Sequence, residues 1–321
     1  MSYAPPVEKH QGKIRETTIG EGATAVTVGG ETTLPFHTFE GEIPHRPRIA
    51  MEVFDVPPGE WPDALLRYYG DILSDPVAWA KRCVEQYGAE MICVQLAGTD
   101  PAGANRSPEE AAATVKAVSE AVDVPLIVMG TGSLEKDGEV LKKVAEVMQG
   151  KRIMMGPALQ DNNTYKQIAA AALAYDHTVM SSTPIDVNLA KQLNILITNL
   201  GVSPDKLAID PSTGGQSLGY GLEYCYSVME RDRLAALQQN DAMMQAPLVC
   251  NLAREVWKAK EARAGDDEYP QWGDAEKRGI LWEAMTAAAV LMAGGNILIM
   301  RHPEAIRLTR KLIDELSAAR D

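Results

Sequence analysis

The chain has 321 residues and a mass of 34.8 kDa, a length that fits one large domain with an extension. Hydrophobic residues make up 45% of it, so a sizeable core is expected and global disorder is disfavoured. The net charge of −13 disfavours nucleic acid and membrane partners, because an acidic surface repels phosphate groups. The first residues lack the apolar segment of a secretory signal, and the stretch 284–295 is too short to span a bilayer. We therefore expect a soluble, cytoplasmic protein.

Residues 1–46 are predicted to form an N-terminal extension. Within it, TAVTVGGETTLPFH (24–37) alternates apolar and polar residues on both sides of Gly29 and Gly30. Paired glycines accept the positive φ of a tight turn, so this stretch predicts a β-hairpin that turns at the glycine pair. Prolines at 44 and 47 then mark the boundary to the second domain, which is assigned to residues 47–321.

From residue 48 onwards, short apolar runs alternate with segments of helical periodicity. Several helical segments begin with a capping residue followed by acids, as at Ser107. Near-continuous apolar strands indicate a parallel sheet that is buried on both faces. Eight strand–helix units favour an α/β fold of the (β/α)8 TIM barrel type, with an open doubly wound sheet as the alternative. The eight runs are 49–54, 91–97, 125–130, 152–156, 177–182, 207–210, 247–251 and 296–301.

In such a barrel, the residues that follow each strand gather at one end and form the functional face. Here they are mostly neutral hydrogen-bonding groups, glycines and a few carboxylates, a set that can hold a large heterocycle by its edge. Asp186 and Asn163 also fit as caps of the helices that follow them. Asp210 fits that role poorly, because Pro211 and two glycines follow it, and Asn251 likewise ends an apolar strand.

Other reaction types lack their usual side chains at these positions. No lysine ends a strand, which disfavours a Schiff-base aldolase. The five histidines form no HxH or HExxH pair, which disfavours a hydrolase with a single zinc or iron ion. His302 follows Arg301 at the predicted functional face, where it fits either a polar contact to a ligand or an exposed residue in the first helical turn.

The cysteines indicate no metal centre within this chain. Their spacing contains no CxxC pair and fits neither a zinc nor an iron–sulfur site. We interpret them as buried thiols of a cytosolic protein. The four are Cys83, Cys93, Cys225 and Cys250.

One insertion, residues 252–277, separates the seventh predicted strand from the following long helix. It contains Trp257, Tyr269 and Trp272 among many charged side chains. Its position predicts that it rises over the functional face as a lid or a partner contact. A solvated helical excursion is the alternative.

Three stretches of the chain resemble a known family. VGGETTLPFHTFEG (28–41), RIAMEVFD (48–55) and LAIDPSTGGQSLGYGLEY (207–224) are similar to the small subunit of the corrinoid iron–sulfur protein, the acetyl-CoA decarbonylase/synthase delta subunit family. The similarity extends over essentially the whole chain. It implies a methyl carrier of the reductive acetyl-CoA pathway in anaerobes, which fixes carbon through one-carbon chemistry.

The resemblance also implies the cofactor and the partners. The expected assembly is a heterodimer with a large subunit, with cobalamin at the interface above the small-subunit barrel and the iron–sulfur cluster in the large subunit. In the family, cobalt has no histidine ligand from the protein, and this chain has no DxHxxG motif. Transient partners would be a methyltetrahydrofolate:corrinoid methyltransferase and CO dehydrogenase/acetyl-CoA synthase.

On this interpretation, no residue of this chain is catalytic or binds a metal. Methyl transfer to and from cobalt is displacement by the metal, so the protein binds, orients and shields the cofactor. Polar residues at strand ends are then expected to contact the corrin ring. The candidate cofactor-binding residues are Gly130, Thr131, Gly132, Ser182, Thr183, Asp210, Ser212, Thr213, Gly214, Asn251, Arg301 and His302.

The predicted barrel is also similar to methyltetrahydrofolate methyltransferases, which hold a pterin with Asp and Asn at strand ends. Asp210 and Asn251 stand at comparable places. An alternative function is therefore a pterin-dependent corrinoid methyltransferase in which these two residues and Asp161 hold the pterin. An unrelated barrel lyase is a third hypothesis, disfavoured by the missing lysine and metal ligands.

Overall fold

Eight parallel strands close into a barrel, which confirms the (β/α)8 prediction. A computed structural model describes residues 6–183, 186–211 and 222–318 of the chain. Each strand pairs with its neighbours in chain order, and the last strand pairs with the first. After the N-terminal strands β1 (Thr17–Ile19) and β2 (Val26–Val28), the barrel strands are β3 (Arg48–Phe54), β4 (Met91–Gln95), β5 (Leu126–Met129), β6 (Met154–Ala158), β7 (Thr178–Ser182), β8 (Leu207–Asp210), β9 (Leu248–Asn251) and β10 (Gly295–Met300).

Helices surround the barrel and cover its outer face. Their apolar sides pack on the outward-facing strand residues and form the larger core, in which Trp79 and Tyr69 are fully buried. The helices are α1 (Asp63–Tyr69), α2 (Pro76–Glu85), α3 (Pro108–Ala121), α4 (Asp137–Val147), α5 (Thr164–Tyr175), α6 (Val187–Asn199), α7 (Leu222–Leu237), α8 (Ala253–Val256), α9 (Lys260–Arg263), α10 (Ala275–Met292) and α11 (Pro303–Ser317).

Side-chain capping sets where several helices begin. Ser107 and Glu110 form a capping box at the start of α3, each side chain bonding the other residue's backbone N–H. Asp186 accepts hydrogen bonds from the N–H groups of Asn188 and Leu189 at the start of α6. Asp186 therefore caps α6, which is one of the two roles considered for it from the sequence, the other being a ligand contact.

A second, smaller core fills the inside of the barrel. Inward-facing residues such as Ala50, Cys93 and Met180 form it, and Ile19 and Val26 of the N-terminal strands join it. The extension thus closes the end of the barrel where the strands begin. The opposite end, where the strands finish, is left to the helix-connecting loops.

The N-terminal hairpin exists, but its predicted turn is wrong. Strands β1 and β2 pair antiparallel with Ile19 opposite Val26, so the chain turns between them and not at the glycine pair. Gly29 and Gly30 follow β2 with φ of 92° and 90°. The positive φ of these glycines lets the backbone pack closely against the segment before β1. There the N–H of Gly30 donates to the carbonyl of Ile14 at 2.9 Å.

Among the described residues, we find no helix that combines the length and the apolar character needed to cross a membrane.

Candidate functional site at the mouth of the barrel

Polar side chains form a ring inside the barrel where its strands end. Side chains alternate between the two faces of a strand, so the position two residues beyond an interior apolar residue also points inward. On six strands the position two residues beyond the last apolar residue of the barrel interior is polar, although each side chain is at most 6% exposed. We call these residues the mouth ring: Glu52, Gln95, Ser182, Asp210, Asn251 and Arg301.

Arg301 and Glu52 form a buried ion pair across the junction of the first and last barrel strands. Nε and Nη2 of Arg301 donate to Glu52 Oε2 at 2.9 and 2.6 Å. The guanidinium carbon also lies 5.3 Å from the ring centre of Phe54 and 4.8 Å from that of Trp61. Glu52 Oε1 is buried without a hydrogen-bond partner. The pair is therefore neutral overall but leaves one carboxylate oxygen unused.

Gln95 connects the mouth ring to the loop after β5. Its Nε2 donates to the carbonyl of Gly130 at 2.8 Å, and its Oε1 is buried without a partner. Asp137 fixes the same loop, accepting from the backbone N–H of Thr131 at 3.1 Å and of Gly132 at 2.7 Å. Burial raises the pKa of Asp137, while these hydrogen bonds oppose the rise. A side chain at position 130 would overlap the Asp137 carboxyl, which explains the glycine.

Asp210 and Asn251, the two residues that the sequence likens to the pterin-binding residues of methyltransferases, belong to β8 and β9 in the mouth ring. Ser182 Oγ donates to Asp210 Oδ2 at 2.9 Å between adjacent strands. Asn251 Nδ2 reaches Met129 Sδ across the barrel at 3.2 Å, and Asn251 Oδ1 is buried without a hydrogen-bond partner. Asp161, the third residue of the pterin hypothesis, is exposed in a turn after β6.

A cavity of about 130 Å³ opens beside the mouth ring. Glu52 and Gln95 contribute its two unpartnered oxygens, and Phe54 supplies an aromatic wall. Arg254, from the insertion at 252–277, is exposed at its edge, so the insertion does reach this face of the barrel. The full lining is Glu52, Phe54, Gln95, Ala97, Asp100, Thr131 and Arg254.

His302 points away from the barrel interior and supports the loops behind the site. Its ring stacks on Trp257 at 5.7 Å between centres, and burial lowers its pKa to about 4. Glu283 organises this region by accepting from Trp257 Nε1 at 2.9 Å and from the backbone N–H of Arg301 and His302. Burial raises the pKa of Glu283 to about 7, and these donors oppose the rise. Trp257 thereby anchors the insertion to the end of β10.

The structure gathers most of the residues proposed from the sequence at one end of the barrel. Gly130, Thr131 and Gly132 form the loop after β5, and Thr183 is buried directly after β7. Ser182, Asp210, Asn251 and Arg301 belong to the mouth ring, whereas His302 lies behind it. Ser212, Thr213 and Gly214 lie outside the described residues.

Sequence reasoning missed Glu52 and Gln95. Each interrupts an otherwise apolar strand, RIAMEVF or MICVQ, at a position that faces inward. Charged residues are almost never fully buried unless they are paired, so a glutamate inside such a run is itself a signal. The partner of Glu52 could not be predicted from the sequence, because Arg301 lies 249 positions away.

The described residues contain no group of three or more His, Cys, Asp or Glu placed to hold a metal ion. The four cysteines are all buried thiols, and none of them forms a disulfide within the described ranges. Burial raises the pKa of both Cys83 and Cys225 to about 12, so these sulfurs stay protonated and are poor metal ligands.

Two dihydropteroate synthases are among the solved structures with a similar fold, at low sequence identity. A dihydropteroate synthase of Xanthomonas albilineans with bound 4-aminobenzoic acid is 12% identical, with a TM-score of 0.60, over 95% of this chain and all of that one. A Yersinia pestis dihydropteroate synthase with a pterine-sulfa conjugate is 16% identical, with a TM-score of 0.56, over 85% of this chain and 95% of that one. At such identities the likeness supports the barrel alone.

Sequence relatives are much closer. The acetyl-CoA decarbonylase/synthase complex subunit delta of Archaeoglobus fulgidus is 37% identical over 98% of this chain and 71% of its own length. The subunit delta of Methanothermobacter thermautotrophicus is 36% identical over 97% of this chain and 77% of its own length. The sequence profile of the CO dehydrogenase/acetyl-CoA synthase delta subunit matches residues 16–312. The chain therefore belongs to the CO dehydrogenase/acetyl-CoA synthase delta subunit family.

Proposed function

We propose that this chain is the small subunit of a heterodimeric corrinoid iron–sulfur protein. The heterodimer would carry a methyl group on cobalamin between methyltetrahydrofolate:corrinoid methyltransferase and CO dehydrogenase/acetyl-CoA synthase in the reductive acetyl-CoA pathway. The family match over residues 16–312 carries this proposal. We place the assembly in the cytoplasm, where both transient partners would also be found.

The mouth of the barrel has the chemistry to contact a corrin ring. Corrin side chains are neutral amides, which need hydrogen-bonding groups without net charge. Buried Ser182 and Asn251, the neutralised Glu52–Arg301 pair and the glycine loop at 130–132 provide such groups. When bound, the corrinoid would supply a cobalt that accepts the methyl group as a nucleophile and leaves when an acceptor takes the group up. The barrel would orient the ring and exclude water from one side of it.

The iron–sulfur cluster is proposed to belong to the large subunit. Cys93 lies inside the barrel and Cys83 in the outer core, and burial raises the pKa of both thiols. A cluster needs several adjacent thiolates, and two buried thiols in separate cores do not provide them. This chain would accordingly act in binding and shielding, with no catalytic residue of its own.

An exposed apolar face on α10 supports the proposed heterodimer. Leu281, Met285 and Met292 recur on one side of the helix and are 51%, 69% and 39% exposed. Trp282 lies beside them and is 40% exposed. We call these four residues the α10 patch. Large apolar side chains that are exposed along one side of a helix, on a chain with a net charge of −13, are typical of a protein–protein interface.

The proposal is tested by anaerobic co-expression of this chain with its large subunit. We expect one peak in gel filtration that contains both chains and shows corrinoid absorbance. Thr131→Leu, which adds bulk at the edge of the cavity, should lower the corrinoid content while circular dichroism stays unchanged. Separate monomers, or a heterodimer without corrinoid, would reject the proposed function.

A further inference from the structure

Within the mouth ring, the buried polar atoms left unpartnered are all hydrogen-bond acceptors. They are Oε1 of Glu52, Oε1 of Gln95 and Oδ1 of Asn251, on side chains that are 1%, 5% and 3% exposed. The first two line the cavity of about 130 Å³, and the third lies on the opposite side of the barrel interior. A buried acceptor without a donor is costly, so native proteins rarely leave three of them at one end of a barrel.

The hydrogen-bond donors of Gln95 and Thr131, which line the inner part of the cavity, are already in use. Nε2 of Gln95 donates to Gly130, and the Thr131 hydroxyl donates to Asp137 Oδ1 at 3.1 Å. Nε and Nη2 of Arg301 are both directed to Glu52. The interior wall of the cavity therefore offers free acceptors and occupied donors. A ligand that fits this pattern must bring its own N–H or O–H groups.

The charges around the cavity narrow the class of ligand. Arg301 neutralises Glu52, so the cavity does not require a cation. Arg254 is exposed at the edge of the cavity, so an anion placed deeper in it would face the free oxygen of Glu52 and lose its hydration without gaining a donor from the inner wall. A planar neutral group with two N–H bonds supplies donors for the free oxygens of Glu52 and Gln95, and Phe54 offers an aromatic wall to its face.

We infer that this cavity is a binding subsite for a neutral group that presents N–H donors, such as a primary amide. The inference deepens the proposed function, because the side chains of a corrin ring end in primary amides. The amino-oxo-pyrimidine ring of a pterin presents the same donors. Corrin amides and pterins thus share the donors that the subsite would bind, and separate measurements distinguish the two sources.

The subsite itself is tested with small probes on the purified full-length chain. Acetamide and 2-amino-4-oxopyrimidine are titrated in ligand-observed NMR, with acetate as the anionic counterpart of acetamide. We expect saturable binding of the two N–H donors and no binding of acetate. Gln95→Leu, which removes an acceptor, should weaken amide binding about tenfold.

Matched variants keep this test decisive. Gln149→Leu makes the same chemical change at an exposed position at the opposite end of the barrel and should leave binding unchanged. If Gln95→Leu fails to fold by circular dichroism, Thr131→Leu replaces it, because it fills the cavity edge and leaves the free oxygens of Glu52 and Gln95 in place. Equal binding of acetate and acetamide, or unchanged amide binding in the cavity variants, would overturn the inference.

Competition on the heterodimer identifies the source of the donors. Displacement of acetamide by cobalamin, and not by methyltetrahydrofolate, assigns the subsite to a corrin amide. Displacement by methyltetrahydrofolate alone assigns it to a pterin. A heterodimer that binds acetamide but no corrinoid would defeat the proposed function and leave the subsite standing, so the two failures are distinguishable.

Discussion

The ion pair between Arg301 and Glu52 sets the charge at the mouth of the barrel. Both side chains are buried, at 5% and 1% exposure, and their attraction offsets the cost of removing two charges from water. The pair also joins the first and last barrel strands, β3 and β10, at the mouth. Glu52, which lines the cavity, thus also helps to close the barrel.

Truncation of one partner should therefore be costly. We expect Arg301→Ala to lower the free energy of unfolding by about 3–5 kcal/mol, because it leaves the Glu52 carboxylate buried and unpaired. The double variant Glu52→Leu/Arg301→Met should recover most of that loss, since it removes both charges and keeps apolar volume. Urea unfolding followed by circular dichroism measures both. A double variant no more stable than Arg301→Ala would contradict this account.

Asp232 on α7 should make stability depend on pH. It is 2% exposed, and burial raises its pKa to about 7, with the neighbouring Arg233 opposing the rise. The folded protein thus holds a proton that the unfolded chain releases near the ordinary value of 3.8. The stabilisation is complete below that value and is lost as the pH rises towards 7.

Asp232→Asn should remove this dependence, because the amide does not titrate. We expect the variant to be about 1–3 kcal/mol more stable than the wild type at pH 8, and the gap to close near pH 4. Thermal unfolding across this pH range is the measurement. Glu230→Gln changes an exposed carboxylate of the same helix and serves as the control. A parallel shift of Asp232→Asn at every pH would show that the buried charge is not the cause.

At the scale of elements, the N-terminal extension packs closely on itself just after β2, where Gly29 lies against the backbone of Arg15. Gly29 has a φ of 92°, and a Cβ there would overlap the carbonyl oxygen of Arg15. Gly22, in the turn of the same hairpin, has a φ of 66°, and a Cβ added to it would have no neighbour within 4 Å. The two glycines share a positive φ and differ in packing.

This difference gives a matched pair of substitutions. Gly29→Ala should destabilise the protein by about 3 kcal/mol, from backbone strain together with steric overlap. Gly22→Ala should cost only about 1 kcal/mol, which is the strain of a left-handed conformation alone. Amide hydrogen exchange of β1 and β2 reports the local effect. Equal effects of the two variants would mean that the close packing at Gly29 contributes nothing.

At the scale of the whole molecule, the α10 patch is expected to decide association. Met285→Glu places a charge in its most exposed residue, which should weaken the heterodimer at least tenfold, because a buried unpaired charge is costly. Leu173→Glu makes a comparable change at a residue that is 52% exposed on α5, outside the patch. Analytical ultracentrifugation of the two chains gives the dissociation constants. Equal weakening by both variants would place the interface elsewhere.

The barrel was predictable from the sequence, because local patterns encode it. Eight apolar runs separated by capped amphipathic helices allow few arrangements that bury every strand on both faces. The same patterns located the end of the barrel where polar residues collect, including Asp210 and Asn251. The extension was also predictable, but its turn was not, since a positive φ serves tight packing as well as turns.

Which polar residues act together depends on the folded barrel and could not be predicted from the sequence. Alternation along a strand placed Arg301 inside the barrel and His302 behind it, although they are adjacent in the chain. Closure of the barrel brought Glu52 to Arg301 across 249 positions, and no local pattern encodes that pairing. Whether a buried oxygen finds a donor depends on neighbours from distant strands. The free acceptors of Glu52, Gln95 and Asn251 are therefore a property of the folded barrel alone.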